Sequence, residues 1–239
     1  FKIRGQEEGE KYLDKVPDYI EKWQKEFGIP TVAMMAGWEK IVEWTGPDYF
    51  PPYGGTKRFK KMCSELRKRG IYVFAFALSG LKWILRKKYR RTDTDIDYID
   101  LEDFRREGER HAATKPDGSL LISYEDFDKV FWGAHAHACV ATPLAHSMLY
   151  DSSMKLIDLG VQVSEADQLN CGAVPPCYNT KHGHPTGRGK WQIDALRRIY
   201  SEVRRDGKAK DPEFVWAQEA PGEMYIQELD CYLGRNYVQ

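Results

Sequence analysis

The strongest constraint on this chain is an alternation of two periodicities. Short apolar runs at residues 29–37, 71–78, 161–168 and 214–219 are separated by stretches whose apolar residues recur every three or four positions. The helix-periodic stretches cover residues 9–27, 56–69, 143–159 and 190–205. In the first, Tyr12, Val16, Tyr19, Ile20, Trp23 and Phe27 share one face; in the second, Phe59, Met62, Cys63 and Leu66 do. Gly28, Gly70 and Gly160 follow three of these helices, as C-terminal stops do, and Thr142-Pro143 opens the third as an N-cap and first-turn pair. Near-continuous apolar strands alternating with amphipathic helices predict a parallel sheet, with the first run, residues 29–37, buried on both faces.

The loops choose among parallel folds. Those entering the strands are short, while those leaving them, at residues 38–55 and 169–189, are long and rich in Pro and Gly. A (β/α) barrel concentrates function in the loops after its strands. No Gly-rich phosphate loop follows any strand, so the nucleotide-binding open sheet has no motif behind it. The predicted fold is therefore α/β, a (β/α) TIM-type barrel over residues 1–239 as a single domain. Residues 81–128 are irregular and polar and are predicted to be an insertion at the barrel mouth, with a small hairpin after the turn Lys115-Pro116-Asp117-Gly118. A short helix at 222–229 leads to a fifth run at 231–233, and residues 1–4 supply the tail of a sixth strand. Six strands do not close an eight-stranded barrel. The barrel is expected to be incomplete, so that the chain belongs to a longer polypeptide with further domains, pairs its edge in an oligomer, or hides a strand within the insertion.

Composition narrows the partners. Lys and Arg together number 36 and are balanced by 36 Asp and Glu, which argues against nucleic acid. A hydrophobic fraction of 42% excludes wholesale disorder, and no apolar run is long enough for a membrane-spanning helix, so no membrane partner is expected. The basic run at residues 86–91 meets an acidic stretch at 93–103 and reads as a solvated, self-compensating loop. Five cysteines at positions 63, 139, 171, 177 and 231 form no disulfide framework; Cys171 and Cys177 are near enough to bridge or to stay as thiols.

Two acids stand out. Asp167 ends the third apolar run and Glu219 ends the fourth. Neighbouring strands lie about 4.8 Å apart, so carboxylates on adjacent strand ends can reach the ~5–5.5 Å separation of a retaining glycosidase pair. Two acids that close push their pKa values apart, which suits one to attack and the other to protonate. Aromatic residues crowd the loops, and Trp38 and Trp83 are expected to line the same cleft and stack on sugar rings. His182 and His184, in the loop after Asp167, supply hydrogen-bond donors. His135 and His137 form an H-x-H pair that a strand would point to one face, and they contact substrate or, in an alternative reading, begin a metal site completed by Asp167 and His182 or His184. In the preferred reading no metal ligands are assigned and no cofactor is required.

The stretch from Asp158 to Trp191 resembles an uncharacterised bacterial family of TIM-barrel, glycoside-hydrolase-like proteins, a domain of unknown function. The pattern is a strand ending in Asp-Gln, a Cys/Pro-rich loop with His-Gly-His-Pro, and a Gly-x-Gly-x-Trp helix start. It falls here on Asp167, Gln168, Cys171, Cys177, His182, Gly183, His184, Pro185, Gly187, Gly189 and Trp191. The earlier segments FGIPTVAMMAGWEK and YFPPYGGTKRF and the later FVWAQEAPGEMYI follow the same order of elements. The resemblance implies a barrel, an oligosaccharide or polysaccharide substrate, and substrate contacts from Gln168 and Trp191. Glu165, where a more apolar strand end is expected, departs from the pattern and leaves open whether it shares the acidic role. With residues 1–4 as strand one, the layout is similar to the α-amylase superfamily, which implies Asp167 as nucleophile and Glu219 as general acid. Three readings follow: a retaining glycosidase, a metal-dependent hydrolase built on His135 and His137, and a non-catalytic carbohydrate-binding barrel.

Overall fold

A computed structural model describes residues 6–40, 46–90, 95–127, 131–169, 174–219 and 222–233. The sixth strand expected at residues 1–4 lies outside them, as does Cys171. The elements fall into two sheets. The first is parallel and five-stranded, in the order β1-β2-β7-β8-β9, built from β1 (Val32–Met34), β2 (Tyr72–Ser79), β7 (Val163–Asp167), β8 (Val215–Glu219) and β9 (Cys231–Leu233). This sheet curls as a half-barrel; a complete barrel is not formed by the described residues.

Helices α1 (Gln6–Phe27), α2 (Thr56–Lys68), α4 (Pro143–Asp158) and α5 (Lys190–Lys210) accompany the parallel sheet. Each helix after the first buries the stripe that its period predicts. Phe59, Met62, Cys63 and Leu66 of α2 and Leu196, Ile199, Tyr200 and Val203 of α5 join Val73, Ala75, Ala77 and Trp216 of the strands in one core. Leu66 O accepts from Ile71 N at 3.1 Å as the chain leaves α2, with Gly70 at φ 68, a left-handed turn that glycine enters without a Cβ clash.

β1 departs from expectation. It is three residues long, with Val32 56% and Met34 48% exposed and only Ala33 buried. No strand pairs with its outer side among the described residues, so one face of an apolar run meets solvent. Tyr19, Trp23 and Phe27 of α1 are exposed beside it in sequence order, and the Trp23 and Phe27 rings stack at 5.3 Å.

The second sheet is antiparallel, in the order β4-β3-β6-β5, from β3 (Lys82–Arg90), β4 (Asp95–Ile99), β5 (Ile122–Phe127) and β6 (Phe131–His137). The described residues between 81 and 128 thus supply three strands of a sheet in place of an irregular stretch with one small hairpin. The sheet also takes in β6, beyond the expected limit of the insertion. The basic run is not a solvated loop either: β3 pairs with β4 so that Lys88 lies opposite Asp97 and Arg90 opposite Asp95, and Lys87 is buried. Between β4 and β5, α3 (Leu101–Asp103) runs into a π-helical turn (Phe104–Gly108) and a 3-10 turn (Glu109–His111). Trp83, Leu85, Phe104, Ala112 and Ala136 form this sheet's own core. Gly108 touches it so closely that a Cβ there would lie 2.6 Å from the Trp83 ring.

An ion pair ties α2 to the turn between α5 and β8. Arg67 Nη2 donates to Asp211 Oδ1 at 2.9 Å, and the guanidinium holds the Asp211 carboxyl below the usual carboxylate range. A depressed folded pKa stabilises above the unfolded value near ~3.9 and stops doing so as pH falls through the folded value. Asp211→Asn should therefore destabilise by up to about 1 kcal/mol at pH 7, because Arg67 is partly solvated, and by less at about pH 3, where the carboxylate of the unfolded chain has taken up its proton. Urea titrations of both proteins at the two pH values test this.

Candidate active site

The parallel register of β7 and β8 runs from Val163 opposite Val215 to Ala166 opposite Gln218. One step further along each strand stand Asp167 and Glu219, 4% and 5% exposed. Strand alternation assigns their faces. Trp216 packs against Tyr200 of α5 with ring centroids 5.7 Å apart, so even-numbered positions of β8 face the helices. Ala217 and Glu219 face the concave side, as do Glu165 and Asp167 by register. Glu165 is buried two residues before Asp167 and pairs in register with Phe76, whose ring meets Phe74 edge-on at 5.3 Å. The concave side thus carries three carboxyl groups above an aromatic floor.

Gln168 connects this end of the sheet to the rest of the molecule. Its φ of 60° is left-handed, uncommon for a residue with a Cβ. The turned backbone N–H donates to Glu219 Oε2 at 3.3 Å, and its side-chain Oε1 accepts from Lys82 Nζ at 2.8 Å. Lys82 opens β3 and lies opposite His137 of β6. His135 and His137 stand on the same face of β6, as an H-x-H pair on a strand must, with ring centroids 5.0 Å apart and both rings buried. His137 Nε2 lies 2.7 Å from Ser123 Oγ.

Several expected substrate contacts are elsewhere. Trp38 is 2% exposed; its ring packs against Tyr49, Phe50 and Phe59, and its Nε1–H donates to Phe76 O at 3.1 Å. Trp83 is 4% exposed in the second core and donates through Nε1 to Asp100 Oδ2 at 2.9 Å. Burial, the largest influence on Asp100, raises its carboxyl. Neither indole offers a face to a sugar, because the apolar contacts inside two cores outcompeted exposure in a loop. Trp191 lies under His184, the rings stacked at 3.7 Å and 8°.

His182 and His184 turn toward sulfur instead of a cleft. Among the described residues, the one group of three or more metal-type ligand atoms is Cys139, Cys177, His182 and His184, all within 4.8 Å of one another. His135 and His137 are not part of it, which removes the metal reading that joined them to His182 or His184. The loop pattern Cys177-x4-His182-x-His184 was visible in the sequence; Cys139 enters only because β6 delivers it from a distance.

A family described as "Domain of unknown function (DUF6259)" matches residues 6–239. A Bacteroides thetaiotaomicron protein described as "Putative glycoside hydrolase" is 27% identical over 188 residues, covering 78% of this chain and 25% of that protein. The chain therefore spans a quarter of that relative's length. Among solved structures, an alpha-N-acetylgalactosaminidase from Bifidobacterium bifidum superposes with a TM-score of 0.63 at 14% identity, over 91% of this chain and 30% of its own. A cyclomaltodextrinase gives 0.57 at 17% identity over 94% and 35%. An alpha-galactosidase from Thermus thermophilus, in complex with stachyose, gives 0.55 at 13% identity over 93% and 38%. At these identities the likeness is one of fold.

Proposed function

Since the chain belongs to the family described as domain of unknown function (DUF6259), whose fold it shares with glycosidases, we propose that it carries the catalytic half-barrel of a glycoside hydrolase acting on an oligosaccharide or polysaccharide. The observation that carries this reading is the placement of Asp167 and Glu219 on the concave side, buried, at the carboxyl ends of adjacent parallel strands. The curated relative's description and the α-glycosidic names among the structural neighbours support it.

The mechanism we propose is a double displacement. The Asp167 carboxylate attacks the anomeric carbon while the bond to the leaving oxygen breaks and Glu219 gives that oxygen its proton. Water then attacks the glycosyl–Asp167 ester; Glu219 takes the water's proton, and the sugar leaves with its original configuration. Gln168 contributes a positioning bond: its N–H holds Glu219 Oε2, and Lys82 holds its side chain. The ~5–5.5 Å separation that this route needs is within reach of adjacent strand ends, whereas the ~6.5–9.5 Å of an inverting pair is longer than one strand spacing.

The experiment uses the full natural polypeptide with nitrophenyl α-galactoside, α-N-acetylgalactosaminide and α-glucoside, following the first-formed anomer by proton NMR. Release of a retained α-anomer from one of these substrates is the expected result. An inverted product would remove the nucleophilic role of Asp167, and binding without turnover across a wide glycoside panel would favour a carbohydrate-binding barrel.

A further inference from the structure

The four-residue cluster beside the second sheet has the donor set of a metal centre. Cys139 is 2% and Cys177 0% exposed, and the two histidines are half-buried. His184 Nε2 lies 3.2 Å from Cys139 Sγ, and His182 Nδ1 lies 3.5 Å from Cys177 Sγ. A tetrahedral zinc with Zn–S ~2.3 Å and Zn–N ~2.0–2.1 Å sets its ligand atoms roughly 3.3–3.8 Å apart. Four donors already within 4.8 Å of one another need only small side-chain adjustments to meet that geometry.

The far sides of the imidazoles supply an independent observation. His182 Nε2 lies 3.0 Å from Arg110 O, and His184 Nδ1 lies 2.8 Å from Pro185 O. A carbonyl oxygen only accepts, so each of those nitrogens carries the ring proton. The remaining nitrogens, Nδ1 of His182 and Nε2 of His184, then present lone pairs, and both point at the sulfurs. Carbonyl-anchored imidazoles of fixed tautomer are the usual support around ligating histidines. Trp191 braces the His184 ring, and Ala113, Leu121 and Ala141 pack around the two cysteines.

The backbone around each ligand is also fixed. Cys139 N donates to His111 O at 2.9 Å, and Cys139 O accepts from Thr142 Oγ1 at 2.7 Å at the start of α4. Cys177 and Gly187 form a bridge with Gly187 N donating to Cys177 O at 2.8 Å, closing the loop that holds both histidines. Within it, Asn179 Oδ1 accepts from Lys181 N at 3.0 Å, shaping the 3-10 turn (Thr180–His182).

We propose that Cys139, Cys177, His182 and His184 bind one zinc ion in a closed Cys2His2 site that fastens the loop following Asp167 to the end of β6. Four protein ligands leave no open position for water or substrate, so the ion is structural. It joins the loop between β7 and α5 of the parallel sheet to the second sheet. The site stands or falls independently of the hydrolase reading, because it rests on the ligand geometry and is read by metal content.

The test is elemental analysis of the full natural polypeptide, purified without a histidine tag and without chelators. About one zinc per chain is expected, with Cys177→Ser and His184→Gln retaining almost none and Cys231→Ser and His146→Gln, outside the cluster, retaining all of it. Should the ligand variants fail to fold, the native protein still decides the question: exchanging its metal for Co(II) should give the intense visible bands of a tetrahedral cobalt–thiolate centre. Native protein that carries no zinc and gives no such bands overturns the proposal. So does zinc that persists in both ligand variants, or a Cys139–Cys177 disulfide in place of the ion.

Discussion

Asp167→Asn should lower the hydrolysis of aryl glycosides by roughly 10³-fold or more, equivalent to about 4 kcal/mol of barrier, with little change in thermal stability. The substitution keeps shape and removes the charge that attacks. Glu219→Gln should behave differently, and the difference is the sharper test. A nitrophenolate leaves without a proton, so the first step survives in this variant and the loss falls on deglycosylation. Azide, which needs no general base, should restore turnover in Glu219→Gln and yield a glycosyl azide of retained configuration. In Asp167→Asn it should give the inverted azide, if any. Equal, unrescued losses in both variants, or a loss of folding that accounts for the rate, would sink the assignment of separate roles.

Trp38→Ala should cost about 3–5 kcal/mol of stability, the range for removing a large aromatic side chain from a packed core. The ring touches Tyr49, Phe50 and Phe59, and the indole N–H holds the backbone of β2 at Phe76. For a chain of this size that corresponds to a fall in Tm of about 6–20 °C. The competing expectation, a sugar platform in the βα loop, requires the reverse: a raised KM with Tm nearly unchanged. Trp38→Phe should recover most of the packing but not the hydrogen bond to Phe76 O.

The two tryptophans illustrate which features the sequence makes legible. Amphipathic helices and buried strands carry their period in the chain itself, so the bounds of α2, α4, β7 and β8 lie within one or two residues of those read from spacing alone. The apolar run at residues 29–37 is misleading because its paired part, Val32–Met34, meets β2 on one side and no strand on the other among the described residues, and only Ala33 reaches the core. β3 is hidden for the opposite reason. Its charged residues suppress the strand signal, and the acids that stand opposite them belong to β4, beyond a masking stretch of polar sequence. Aromatics outside the apolar runs give no such periodic cue: Trp38 sits in a Pro- and Gly-rich loop and Trp83 in a strand of polar sequence, and only the tertiary structure shows that each faces inward. The cysteine–histidine cluster is half legible, three of its members lying within eight residues while Cys139 arrives through the hairpin of β5 and β6.

The insertion of an entire antiparallel sheet between two neighbouring strands also shapes how the chain must reach this structure. β2 and β7 are register partners, with Ser79 opposite Asp167, yet everything from β3 to α4 intervenes between them. Closing so long a loop late in folding would slow assembly, since non-local pairings repay their entropy only after the ends meet. The inserted sheet relieves this. β3 meets β4, and β5 meets β6, across short connections, and it has a core of its own. Once formed, it carries the end of β2 back toward the start of α4, and the distant strand becomes a near neighbour. The expected order is hairpins first and the pairing of β2 with β7 second, whereas β7 and β8, joined through α5, can pair without waiting for either.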